Sequence, residues 1–212
     1  MNTDDLIAAL GAELTPVARG ALARAVALAL AAGFAVTIVL FAAGWGARSD
    51  PASIIRDLFL LAKTVLPLAL GVVAVPWLMA QARPAGRSRA ARVVWILPAL
   101  TCALVLAALV ALPRDGWTMA LQGKSVGTCL ASIPVLSLPL LAALLAALRR
   151  GAPEHPARCG AVAGLASAGF AAAVYSLYCI EGSPLFYGTW YVLAILAVAA
   201  LGALAGRATL HW

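Results

Sequence analysis

The chain has 212 residues, 64% of them hydrophobic and only 11% charged, with a mean hydropathy of +1.00 and a net charge of +7. A water-soluble domain carries about twice that share of charged residues, so the composition excludes one and points into a bilayer. The arginines sit in short links between apolar runs, which fits membrane topology and excludes a phosphate-binding face for nucleic acid.

The chain opens with a polar segment, residues 1–24, expected to be cytoplasmic. Thr3 is expected to cap a short helix whose first turn holds Asp4 and Asp5, both favourable against the positive helix end. Leu6, Ile7, Leu10, Leu14 and Val17 fall on one stripe of that helix. An acidic start suits an anionic leaflet poorly, so the stripe is a candidate for docking a cytoplasmic protein, with packing on the protein's own links as the equal alternative.

Six apolar runs follow, near residues Ala25–Ala43, Leu58–Met79, Val93–Leu112, Val126–Leu148, Gly160–Cys179 and Thr189–Gly206. A helix rises about 1.5 Å per residue against a hydrocarbon core about 30 Å thick, so ~20 residues cross it. The expected fold is an all-α membrane protein with six transmembrane helices, spanning 25–206, and a cytoplasmic tail at 207–212. The first run is long enough to span and is taken as a true helix and not a cleaved signal.

Charge sets the expected orientation. Arg19, Arg24, Arg83, Arg87, Arg89, Arg92, Arg149, Arg150, Arg158 and Arg207 fall on one side of the spans, against Arg48, Arg56, Arg114 and Lys124 on the other. Positive links stay inside, so both termini are expected in the cytoplasm of a bacterial inner membrane. No link is long enough to house an ATPase or kinase domain.

Within the spans, Lys63 is the one formal charge well inside, and its ammonium is expected to extend toward the outer interface. No carboxylate lies at depth, which argues against a proton pump or ion-coupled transporter. Pro134 and Pro139 are expected to bend the fourth span. Gly160, Gly164 and Ala168, and then Gly202 and Gly206, give smooth helix faces that serve intramolecular packing or dimerisation equally well. Trp45, Trp117, Tyr175, Tyr178, Phe186, Tyr187, Trp190 and Tyr191 gather near outer span ends and are expected to form an interfacial belt.

Of the four cysteines, Cys129 opens the fourth span and Cys179 closes the fifth at the same outer face, with Cys102 mid-span and Cys159 at the inner side. The outer pair is a candidate for disulfide formation or for binding a soft metal ion as thiolates; buried packing is the alternative. His155 and His211 are isolated in the sequence, which leaves a membrane enzyme poorly supported.

Met1-Asn2-Thr3-Asp4-Asp5-Leu6-Ile7 followed by six spans resembles the NrsF-type membrane anti-sigma factors of proteobacteria. Leu148-Arg149-Arg150-Gly151-Ala152-Pro153 is similar to that family's fourth link. Tyr178-Cys179-Ile180-Glu181-Gly182-Ser183-Pro184-Leu185-Phe186, then Trp190-Tyr191, is similar to its fifth. The resemblance implies a non-enzymatic regulator that holds an extracytoplasmic-function sigma factor at the membrane and releases it under heavy-metal or oxidative stress. It implies sensing at Cys129 and Cys179, and no resident cofactor beyond a transient heavy-metal ion. Tyr178 stands where many members carry histidine. Candidate contacts for the sigma factor are Asp4, Asp5, Leu6, Ile7, Leu10, Arg87, Arg89, Arg149 and Arg150. The rival reading is a small transporter or channel for a metal ion or hydrophobic solute.

Overall fold

The structure, a computed structural model, describes residues 2–12, 18, 20–46 and 57–210, leaving aside the Leu10 side chain. The expectations for Leu10, Leu14, Val17, Arg19, Arg48, Arg56 and His211 therefore lie outside the described side chains. The described chain is helical: α1 (Thr3–Ala12), α2 (Ala21–Gly44), α3 (Leu58–Gln81), α4 (Ala90–Val93), α5 (Ile96–Ala111), α6 (Trp117–Gln122), α7 (Val126–Leu148), α8 (Pro156–Ser176) and α9 (Pro184–Thr209). A single 3-10 turn, Arg114–Gly116, precedes α6. Six stretches are long and apolar enough to cross a membrane: α2, α3, residues 90–111, α7, α8 and α9. This is a multi-pass, all-helical membrane protein.

Local chemistry sets the helix ends. Asp57 caps α3, its carboxylate accepting the Phe59 N–H at 2.8 Å. Proline at the first position opens both α8 and α9, where a missing N–H costs nothing. The third span is broken at Val94–Trp95, four residues before Pro98, whose ring collides with a helical carbonyl at that offset. The fourth span runs unbroken from 126 to 148 with Pro134 and Pro139 inside it. Thr37 ties it to α2, donating to the Leu136 carbonyl and its own Gly33 carbonyl, both at 3.0 Å.

The bundle is organised around α8. This helix is the least apolar of the six spans and the most buried, with 83% of its window enclosed, against 11% for residues 90–111. Protein surrounds it on nearly every side, so alanine and glycine suffice. The two small-residue stripes face each other. A methyl on Gly164 would lie 2.6 Å from the Val198 carbonyl oxygen, one on Gly206 would lie 2.6 Å from that of Pro156, and one on Gly160 would strike the Gly202 carbonyl. The stripes therefore serve packing of α8 on α9 within one chain. On the α3 side, Gly169 meets Gly71 just as closely.

Links on each end of the bundle are joined. At one end the Ala152 N–H donates to the Ala82 carbonyl (3.0 Å) and the Ala85 N–H to the Glu154 carboxylate (2.7 Å), bringing together the two arginine-rich links. At the other the Lys124 N–H donates to the Glu181 carboxylate at 2.8 Å, and Trp190 Nε1 to the Leu121 carbonyl at 2.7 Å. Because α2 runs antiparallel to α7, with Trp45 donating to Ser132 at 2.9 Å, α2 starts at the arginine end.

Candidate functional site

Cys129 is the fourth residue of α7, one turn in from the end opposite the arginines. Cys179 lies three residues beyond α8, whose last turn tightens: the N–H groups of Leu177 and Tyr178 reach back three residues, to the carbonyls of Val174 and Tyr175. The fifth span thus ends at Ser176, short of the expected Cys179. The Cys179 N–H still bonds the Tyr175 carbonyl at 3.1 Å, holding the thiol over the helix end.

The two thiols meet side by side, both free and both buried, at 0% and 2% exposure. Two elements far apart in sequence deliver them to one spot. The Cys129 thiol donates to the Tyr175 hydroxyl at 3.4 Å. The Tyr175 ring lies 5.9 Å from those of both Tyr178 and Tyr191, so the tyrosine that bonds the thiol belongs to an aromatic cluster. Tyr175, Phe186, Tyr187 and Tyr191 are all buried, so they are core residues and do not belong to the expected interfacial belt. That belt keeps Trp45, Trp117 and Trp190, each half-buried with its indole N–H donating to the protein.

Lys63 completes the site. Its side chain reaches along α3 toward the end opposite the arginines and ends on protein: Nζ donates to the Cys179 carbonyl at 2.6 Å and to the Glu181 carbonyl at 2.8 Å. The residue is 1% exposed. A buried ammonium is tolerated only with such partners, so Lys63 pins the link that carries Cys179 to α3. The neighbouring Cys129 and then the Lys63 ammonium draw the Cys179 thiol below its ordinary pKa, against burial, which raises it. Among the described residues no three His, Cys, Asp or Glu side chains converge, so the chemistry available is that of a thiol pair. Such a pair can join as a disulfide, or hold a soft ion between two thiolates. Cys102 is exposed mid-span, and Cys159 is buried at the start of α8, at the opposite end from the pair.

The remaining candidate residues lie elsewhere. Arg87, Arg89, Arg149 and Arg150 are exposed on the joined links at the arginine end. In α1, Asp4, Asp5, Leu6 and Ile7 are exposed, Leu6 at 42% and Ile7 at 64%. Thr3 is already helical, and the Asn2 carbonyl accepts the first helical bond, from Leu6 at 3.1 Å, so the cap falls one residue before the expected one.

The sequence profile of the family described as "Negative regulator of sigma F" matches residues 10–212. The chain belongs to this family. A full-length relative from Caulobacter vibrioides (strain NA1000 / CB15N), "Anti-sigma-F factor NrsF", is 34% identical over 218 residues, covering 100% of both chains. A second, from Azospira oryzae (strain ATCC BAA-33 / DSM 13638 / PS), "Probable anti-sigma-F factor NrsF", is 40% identical over 90 residues, 42% of each chain. No solved structure matches. The family is regulatory and not enzymatic.

Proposed function

We propose that this chain is a bacterial inner-membrane anti-sigma factor that sequesters an extracytoplasmic-function sigma factor and releases it on heavy-metal or oxidative stress. Membership of the family and the names of its two relatives support the anti-sigma role. The observation that carries the sensing step is the meeting of Cys129 and Cys179 in one buried cluster. In the proposed topology residues 1–24 and 207–212 are cytoplasmic, the arginine end faces inward, and the thiol pair sits at the outer face.

Oxidation joins the two sulfurs, and the pair gives up two protons and two electrons, the electrons passing to the oxidant. A soft metal ion instead displaces the two protons and binds both thiolates. Either event resizes the contact between α7 and the link held by Lys63, and so shifts α8, the helix at the centre of the bundle. The inner face then holds the sigma factor less tightly. Contacts there are assigned to Asp4, Asp5, Leu6, Ile7 and Leu10 of α1 and to Arg87, Arg89, Arg149 and Arg150. The exposed Leu6 and Ile7 support α1 as the main element of that surface.

The test is capture of candidate sigma factors from gently solubilised membranes of the same cell. Recovery of an extracytoplasmic-function sigma factor by the native chain, lost after cadmium or peroxide treatment but kept by Cys129→Ser/Cys179→Ser, is the expected result. Recovery of none, or equal release from the double variant, would overturn the reading.

A further inference from the structure

An apolar groove of about 230 Å³ runs between α3, the third span and α9, walled by Pro67, Leu70, Leu97 and Tyr191 among others. It exists because the third span packs loosely, Ala108 being the one buried residue of α5. At the arginine end the groove reaches Trp77, and Trp77 also walls a second hollow of about 520 Å³ formed with Gln81, Arg87, Arg89 and Arg92. A greasy slot therefore continues into a cationic cup, with one tryptophan at the junction. From these shapes the geometry points to a binding site for one anionic phospholipid, its phosphate in the cup and an acyl chain in the slot.

Three observations fix the occupant. The three arginines are exposed and none pairs with a carboxylate among the described residues, so the cup presents uncompensated positive charge. The walls of the cup include no acidic side chain, and so offer no counter-charge to the ammonium of a zwitterionic headgroup. The Glu154 carboxylate, which accepts the Ala85 N–H at 2.7 Å, does not line the cup. From Trp77 to Pro67 is ten helical residues, about 15 Å, the depth of one leaflet's hydrocarbon. Arg87 and Arg89, assigned above to the sigma factor, here take the lipid phosphate instead and leave Arg149 and Arg150 to the protein: a protein surface would satisfy the arginines but leave the slot empty, whereas a lipid fills both. At the far end of the slot the Tyr191 ring packs against Tyr175, the acceptor of the Cys129 thiol, so occupancy bears on the wall of that cluster.

The experiment is native mass spectrometry of the full chain, purified in detergent and incubated with equal amounts of phosphatidylglycerol and phosphatidylcholine. One retained phosphatidylglycerol per chain is expected, preferred roughly tenfold or more over phosphatidylcholine. Arg87→Gln/Arg89→Gln/Arg92→Gln, all at exposed positions, should bring the preference near unity. Leu97→Trp, which fills the slot, should lose the lipid although the cup is intact. No preference in the native chain overturns the proposal. So does displacement of the adduct by inorganic phosphate, which would mark a simple anion site. So does a triple arginine variant that loses sigma-factor capture yet keeps its lipid preference, which would assign the cup to protein.

Discussion

The Lys63 ammonium is bonded to the main-chain carbonyl of Cys179 at 2.6 Å, across 116 residues of sequence. A buried lysine amine thus holds one backbone segment of the bundle, the one bearing a thiol of the candidate sensor. Replacing Lys63 by Met keeps the stem's bulk but strands the carbonyls of Cys179 and Glu181 in a buried setting. Charge-assisted bonds contribute about 1.5–3 kcal/mol, so Lys63→Met should lower the thermal midpoint of the detergent-solubilised chain by several degrees. It should also speed alkylation of Cys179 by an impermeant maleimide several-fold. An unchanged alkylation rate would show that the link is held by other contacts.

Serine for either cysteine separates the sensor from the scaffold. A serine hydroxyl in place of the Cys129 thiol would keep a donor toward the Tyr175 hydroxyl, so Cys129→Ser should fold with a stability change within about 1 kcal/mol. Neither Cys129→Ser nor Cys179→Ser can form the disulfide or a two-thiolate metal complex. Both should repress a sigma-dependent reporter as the native chain does, and neither should induce it under cadmium. Full induction by either single variant would remove the pair from the mechanism.

The spans were legible because lipid demands an unbroken apolar run of near-fixed length, and 126–148 falls at its expected bounds. The meeting of Cys129 and Cys179 followed from consecutive antiparallel helices. What stayed hidden is which way residues face. A span apolar on every side carries no polar stripe to mark its inner surface, so Tyr175 and Tyr191 resembled belt residues while belonging to the core. Tyr175 did leave one trace, standing four residues before Cys179, whose N–H bonds the Tyr175 carbonyl. The acceptors of Lys63 left none, since a backbone carbonyl has no residue type.

The glycine stripes give a contrast internal to one chain. A methyl at Gly164 would lie 2.6 Å from the Val198 carbonyl oxygen, so Gly164→Ala must push α8 and α9 apart. Overpacking of this kind costs about 1–3 kcal/mol, and larger side chains there should cost more. Gly127, in the first turn of α7, has no neighbour within 4 Å of an added methyl. Gly127→Ala should be neutral or stabilise by up to about 1 kcal/mol through reduced backbone freedom. Thermal midpoints in one detergent compare the two directly, and equal shifts would refute the close approach of α8 to α9.

The surface of α1 can be tested for the proposed capture apart from the bundle. Leu6 and Ile7 are exposed and the helix builds no extensive contact with the other described helices, so charges placed there leave the bundle undisturbed. Leu6→Asp/Ile7→Asp should keep the native thermal midpoint. If α1 seats its apolar stripe in a groove of the sigma factor, burying two aspartates there costs at least about 1–2 kcal/mol each, and affinity should fall by tenfold or more. Binding of the sigma factor to the chain in nanodiscs measures this directly. Undiminished affinity with an unchanged midpoint would shift the binding surface from α1 to the arginine-rich links, where Arg149→Gln/Arg150→Gln would then be the variant to lose it.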